Sequence, residues 1–398
     1  MRIPCDILIA GGGVAGLSAA CTFAASGFET ICVDPVPPIT DVNQIGADLR
    51  STAFLLPSVE LLSESGLWAE LSPFAAPLST MRILDSGGKA GEVREHADFL
   101  AADLGVEAFG YNLPNTLLRE KMLAFLAKFS NFQLLAPETV GKITPRSSGA
   151  LVQLASGDQI SAKLVIAADG RNSPLRTQLD IPVKTWRYGQ KAIVFNTTHT
   201  MPHNNVSTEI HRSGGPFTLV PLEDPYKSAV VWMERGPRAA ALFEMDISDF
   251  NTALAERACG TLGAIEIVGK RAIWPIIAQR ADRLNGPRTA LLAEAAHVIP
   301  PIGAQGLNMS LADLRHLKSL VVAARDQGQD IGATTLLHKY HRARWPDMAA
   351  RIKGVDLLNR ASMAEQPFLK DLRRMGLKYL HGIKPIRNEL MKRGLGAK

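Results

Sequence analysis

Glycines at 11, 13 and 16 within Gly11-Gly12-Gly13-Val14-Ala15-Gly16 fit the pattern GxGxxG, and a carboxylate, Asp34, lies 18 positions after the last of them. That spacing suits a dinucleotide. The first glycine permits a tight turn, the second lets the backbone approach a pyrophosphate, and the third lets a helix pack closely on a strand. The helix start at Val14 and Ala15 then faces the phosphates with free N–H groups, and Asp34 can accept hydrogen bonds from ribose hydroxyls. A glycine-rich loop in another α/β fold would show the same six residues, so the flanking elements decide. Residues 5–10 (CDILIA) read as a buried strand, residues 14–26 as a helix rich in small residues, and residues 29–34 (ETICVD) as a second strand. The helical crossover implies parallel strands. The fingerprint alone does not choose between FAD and NAD(P).

Two later stretches bear on that choice. Residues 166–176 read IAADGRNSPLR, and residues 291–308 read LLAEAAHVIPPIGAQGLN. Together with the glycine turn they resemble the three flavin motifs of the FAD-dependent aromatic hydroxylases, the para-hydroxybenzoate hydroxylase-like group. Within it the likeness is to the ubiquinone-biosynthesis hydroxylases of UbiH/UbiF type. Asp169-Gly170, continued by Ser173 and Arg176, matches the family's Asp-Gly motif, which the resemblance places near the pyrophosphate and the nicotinamide path. Ala295-Ala296-His297, Pro300, Pro301 and Gln305-Gly306-Leu307-Asn308 match its third motif, normally Gly-Asp-Ala-Ala-His, a proline-rich loop and Gly-Gln-Gly-Leu-Asn. Asp48-Leu49-Arg50 resembles an early Asp-x-Arg segment whose arginine approaches the flavin. Trp186, Tyr188 and Gln190 resemble a W-x-Y-x-Q strand, and Gly215-Pro216-Phe217 with Val231-Trp232 resemble substrate-domain strands. Tyr340, Arg344, Asp347 and the DLLNR run at 356–360 resemble the helical end. Two departures stand out. Ala293-Glu294 replaces Gly-Asp, keeping the carboxylate with one more methylene, and Ala304 replaces the first glycine of Gly-Gln-Gly.

The resemblance implies FAD as cofactor, NADPH or NADH as electron donor, and molecular oxygen as co-substrate. A flavin hydroperoxide would hydroxylate the ring of a prenylated phenol. It assigns cofactor binding to Gly11, Gly13, Val14, Ala15, Gly16, Asp34, Arg50, Arg119, Asp169, Gly170, Glu294, Gly306, Leu307 and Asn308. Pro301 and Gln305 are expected beside the reaction, and Pro216, Phe217 and Tyr188 against the substrate. A helix beginning near Leu307 would aim free N–H groups at the negative charge of reduced flavin. Gly306 lets that backbone come close, and the prolines stiffen the approach. His297 reads as a structural residue at a strand end rather than a general base. With one GxGxxG, no second Rossmann domain is expected for the nicotinamide. The rival readings are the same chemistry on a soluble aromatic compound, and a non-catalytic flavoprotein of a biosynthetic complex.

Positioning these groups calls for an α/β fold: a split Rossmann-like FAD-binding domain with an inserted β-rich substrate domain and a C-terminal helical segment. FAD-binding parts are expected at 1–75, 101–180 and 281–333, substrate-domain strands at 76–100 and 181–280, and helices over 334–398. Inside that frame, residues 114–129 read as a helix, and 151–155, 163–168 and 290–293 as strands. Residues 186–197, 206–212, 217–221 and 228–233 suggest an antiparallel sheet.

Composition agrees and excludes other classes. The 398 residues are 46% hydrophobic and 21% charged, enough for a sizeable core and against wholesale disorder. Cys5, Cys21, Cys32 and Cys259 form no CxxC, so neither a disulfide framework nor a metal site is expected, as suits a reducing cytoplasm. Residues 7–28 carry no charge and are about long enough to span a bilayer. The glycines at 11–13 and 16 disfavour one continuous helix there, and no cleavage pattern follows a basic start. Residues 367–398 hold nine Lys/Arg against two acids, so the tail is +7 and the rest of the chain −1. Leucines and isoleucines interleave with those cations. The tail therefore suits peripheral contact with the inner face of the cytoplasmic membrane. Contact with ubiquinone-biosynthesis proteins, or packing on its own domain, would suit it equally. Nucleic acid is not expected, because no basic excess or binding module occurs elsewhere.

Overall fold

The computed structural model describes residues 2–87 and 92–363, with Asp371 and Met391. The expectation of an amphipathic basic tail thus falls almost entirely outside the described residues. In chain order, the elements that position the site are β1 (Arg2–Ala10), α1 (Val14–Ala25), β2 (Thr30–Val33), β3 (Ser51–Leu55), α2 (Leu56–Glu64), β4 (Thr80–Asp85), β5 (Glu95–Leu100), α3 (Asn115–Leu126), β6 (Gln159–Ala167), β7 (Val183–His199), β8 (Val206–His211), β9 (Pro216–Pro221), β10 (Lys227–Arg235), α4 (Gly236–Glu244), α5 (Ile247–Ala258), β11 (Ile265–Ala281), β12 (Thr289–Leu291), α6 (Gln305–Asp326) and α7 (Thr334–Met363).

In the first sheet, β12, β6, β1 and β2 lie side by side, all parallel, and Phe132–Leu135 continues the series beyond β2. A parallel sheet is covered on both faces, so its strands need not alternate. Ile7, Leu8 and Ile9, and Leu164, Val165 and Ile166, are accordingly all fully buried. The small side chains of α1 let it sink into this core; Ser18 and Thr22 satisfy their hydroxyls on the carbonyls of Val14 and Ser18, at 2.7 and 2.8 Å. Residues 7–28 are therefore a strand, a glycine turn and a helix of a layered domain. No helix among the described residues is long and apolar enough to cross a membrane.

The second sheet has eight strands, ordered His297–Val298, β11, β7, β10, β9, β8, β4, β5. The antiparallel arrangement expected for 186–233 is present, but β8 meets β4 in parallel, because β4 arrives from a distant part of the chain. Sequence periodicity also passed over β11. Lys270, Arg271 and Pro275 interrupt its alternation, yet it pairs with β7 from Ile265 to Ala281 with two register shifts. The region is not purely β. Helices α4 and α5 cover one face, where Leu242, Phe250 and Leu254 pack on Ile193, Phe195, Phe217 and Trp232. Asp246 starts α5 by accepting the Asp249 N–H at 2.8 Å. The opposite face looks toward the parallel domain: Ala192, Met233 and Ile276 pack on Ile302 of the proline loop and Val355 of α7.

Candidate active site

In open α/β sheets, ligands bind beyond the carboxyl ends of the strands. Here those ends are level: Ala10 is in register with Val33 on one side and Ala167 on the other, and Ala167 with Leu291. The segments that follow each strand carry the motifs, so register alone gathers the glycine turn, Asp34, Asp169-Gly170 and Glu294 at one edge. A Cβ on Gly11 would stand 2.3 Å from the Ala168 carbonyl oxygen, and one on Gly16 only 1.8 Å from that of Gly11. Those two glycines are required by packing. Gly13 differs, since a Cβ there meets nothing within 4 Å. Its backbone borders open space at the start of α1, which has neither a side-chain cap nor an acid in its first turn. Its first N–H groups are therefore free for an anion. Asp34 accepts from the N–H groups of Gly12 (2.5 Å) and Val36 (2.8 Å), bracing the turn as well as facing it.

The second and third motifs are tied together through arginines. The Arg176 guanidinium donates to the carbonyls of Ala295 and Arg171, both at 2.9 Å. Arg171 is 3.3 Å from Glu294, whose charge is also felt at Arg50. Arg50 grips Asp48 with two 2.7 Å bonds, and Asn115 donates to the same carboxylate at 2.9 Å. Burial works to raise the Asp48 carboxyl, but the bonds from Arg50 and Asn115 hold it below the usual range. Arg119 stands 3.6 Å from Asp48, and its Nε is buried with no hydrogen-bond partner among the described residues. The same is true of Asp169 Oδ1; burial pushes that carboxyl above the usual range, while its Oδ2 accepts the Leu175 N–H at 3.1 Å.

After β12 the chain turns at Ala293 (φ 56°) and, beyond the prolines, at Ala304 (φ 55°). Both alanines occupy the left-handed region, where a Cβ costs roughly 1–2 kcal/mol. They are the two positions at which the resembling motif carries glycine. Ala304 begins α6 at Gln305, two residues before the expected start, with no side-chain cap. Gly306 is exposed in its first turn and Leu307 is half-buried. Asn308 uses both ends of its amide internally. Its Oδ1 accepts from Leu55 N (2.9 Å) and Ser58 Oγ (2.6 Å), and its Nδ2 donates to the carbonyls of Ala53 (2.8 Å) and Ala304 (2.6 Å). Its side chain thus fastens α6 to β3 and α2. Gln305 accepts from Arg351 of α7 at 3.0 Å, and Pro301 is exposed on the bend before the helix. His297 is braced at 2.7 Å by Asp313, which also holds Arg344.

The expected substrate residues divide. Phe217 is corrected: it is fully buried on the helix-covered face, 5.5 Å edge-on to Trp232, and cannot border the groove. Alternation puts its neighbour Pro216 on the opposite face, toward the flavin loops. Tyr188 donates to Asp356 at 2.7 Å and lines a separate cleft of about 380 Å³ with Lys184, Trp186, Arg280 and Lys353. Two further residues reach the site. Arg171 lay inside a quoted motif, whereas Trp274, whose ring is 5.7 Å from the Arg50 guanidinium, sits on the strand that periodicity missed.

A parallel sheet whose strand ends gather an open glycine turn, two uncapped helix starts and a ring of arginines, faced by a second sheet, defines a dinucleotide-binding flavoprotein of Rossmann type. The FAD binding domain family matches residues 4–353, and the chain belongs to that family. It is 31% identical over 391 residues to the ubiquinone hydroxylase UbiL of Rhodospirillum rubrum, covering 98% of this chain and 89% of that one. It is 27% identical to the 3-demethoxyubiquinol 3-hydroxylase of Escherichia coli, covering 99% of each. Among solved structures, the p-nitrophenol 4-monooxygenase PnpA of Pseudomonas putida superimposes with a TM-score of 0.81 at 17% identity, over 99% of this chain and 98% of that one, a likeness of fold. The residues present fit FAD: open space at Gly13 and free N–H groups at α1 suit a pyrophosphate, and Asp169 Oδ1 and Arg119 Nε, without hydrogen-bond partners among the described residues, are an acceptor and a donor that a ligand could satisfy.

Proposed function

We propose that this protein is an FAD-dependent monooxygenase that hydroxylates the aromatic ring of a prenylated phenol in ubiquinone biosynthesis. One observation carries the reading: near full-length similarity to ubiquinone hydroxylases, over a chain whose flavin motifs gather at one sheet edge. When bound, FAD supplies the redox and oxygen chemistry, with NADPH or NADH as donor. The chain's residues hold and shield. The glycine turn and α1 receive the pyrophosphate, Asp34 and Glu294 accept from sugar and ribityl hydroxyls, and Arg50 and Arg119 balance phosphate or ring charge. The N–H groups of Gly306 and Leu307 stabilise negative charge on the ring system. Pro301 and Gln305 border the place where the phenol reacts.

The sheet face opposite the proline loop supports a greasy substrate. Ala192, Val194, Val231 and Met233 lie on it by alternation, suited to a ring and the start of a prenyl chain. The +7 tail supports a peripheral position on the inner face of the cytoplasmic membrane, where such precursors reside, and contacts with other proteins of the pathway. Deleting the gene tests the reading. The strain should accumulate an under-hydroxylated quinone precursor, restored by the wild-type chain; normal quinone content in the deletion strain sinks it.

A further inference from the structure

A titratable pair, Glu209 and His211, lies on the face turned toward the flavin loops. Register places His211 of β8 opposite Pro216 of β9, Met233 of β10 opposite Ala192 of β7, and Ala192 opposite Trp274 of β11. Phe217 pairs with Trp232 on the helix-covered face, so Pro216 and Met233, one step along each strand, share the other face. These five residues form a single row across the sheet. It runs from Trp274, under the Arg50 guanidinium, to His211, and Ile299 and Ile302 of the proline loop pack around its middle. The row is apolar until it reaches His211.

Glu209 precedes His211 by two positions and shares its face. Its Oε1 is 2.6 Å from His211 Nε2, and the two side chains are only 8% and 15% exposed. A carboxylate can only accept, so Nε2 carries the hydrogen; in that tautomer the lone pair is at Nδ1. That Nδ1 is buried and has no hydrogen-bond partner among the described residues. A buried acceptor left unmatched calls for a donor. Asp85 of β4 lies opposite His211 in register but is gripped by Arg94 at 2.9 Å, and Glu95 of β5 lies one strand further. His297, the histidine that the motif suggests, is spent on Asp313.

We propose that His211, oriented by Glu209, accepts the proton of the substrate's phenolic hydroxyl. The assignment rests on reading the chain as a phenol hydroxylase. The O–H bond breaks with its electron pair left on oxygen, and the proton bonds to Nδ1. The imidazolium so formed is stabilised by the Glu209 carboxylate. The phenolate ring is richer in electrons at its ortho and para carbons and is the better target for oxygen transfer. The proton leaves to water when the product departs.

The test compares the FAD-loaded wild type with H211Q and E209Q on a 2-prenylphenol and on its ring-difluorinated, more acidic counterpart. H211Q should keep its flavin absorbance and lose about 100-fold in hydroxylation of the 2-prenylphenol. Its deficit relative to wild type should shrink several-fold on the fluorinated phenol, which ionises without help; a role confined to packing would not follow phenol acidity. E209Q should show a smaller loss with the same dependence, and carries the comparison if H211Q does not hold FAD. Wild-type rates in H211Q, or equal deficits on both phenols, overturn the assignment alone. A flavin-loaded wild type that turns over neither phenol overturns the reading of function, and this assignment with it.

Discussion

The two sheets meet the site by different means. The parallel sheet offers backbone: a glycine turn, free N–H groups at α1, and strand ends held level by register. The eight-stranded sheet offers side chains, and alternation decides which of them face the groove. Pro216 and Phe217 are adjacent in sequence and lie on opposite faces, one toward the flavin loops and one in the aromatic core. A backbone cradle tolerates little variation at a few positions. A side-chain face can change its chemistry while its fold is kept by the other face.

Breaking the cradle should have the largest effect. G16V would drive side-chain atoms into the Gly11 carbonyl, and neither folded protein nor bound flavin should be recovered, a loss above ~4 kcal/mol. G13A sharpens the point. Its methyl faces open space, so circular dichroism and Tm should stay near wild type while FAD affinity falls roughly tenfold. A G13A protein that binds FAD normally would remove Gly13 from the cradle.

On the other sheet, F217A should cost ~3–5 kcal/mol in denaturant unfolding yet leave KM for the phenol unchanged. A raised KM at full stability would return Phe217 to the substrate site. A smaller effect is expected at Asp48. Its carboxyl is held below the usual range when folded, so its pairing stabilises the protein above about pH 4 and is lost as the pH falls through the folded value. D48N should therefore flatten the acid limb of a stability–pH curve, and an unchanged limb counts against the pairing with Arg50. The smallest effect is expected from A293G and A304G. Each relieves a left-handed alanine but frees the unfolded chain, so Tm should rise by no more than about 2 °C. A fall in Tm would mean that the methyl groups are packed to advantage.

Much of the cradle was legible in the chain. GxGxxG needs only local geometry, and the Asp-Gly and Gln-Gly-Leu-Asn runs are contiguous, so their spacing survives without knowledge of the fold. The second sheet was legible as strands but not as faces. Lys270, Arg271 and Pro275 hide β11 and with it Trp274, and the resemblance names Pro216 and Phe217 together although alternation puts them on opposite faces. The third motif implies Asn308 as a cofactor contact; only the structure shows that its side-chain amide bonds to β3, α2 and the Ala304 carbonyl.

By itself, then, the sequence determined the nucleotide-binding turn, the family likeness and the basic charge of the tail, all of which depend on residues close together along the chain. Tertiary structure alone decided which arginines brace which acids, which side of the second sheet is turned to the flavin loops, and that His211 has a buried nitrogen with no hydrogen-bond partner among the described residues. Those depend on register between strands far apart in the chain, where a shift of one residue exchanges the two faces.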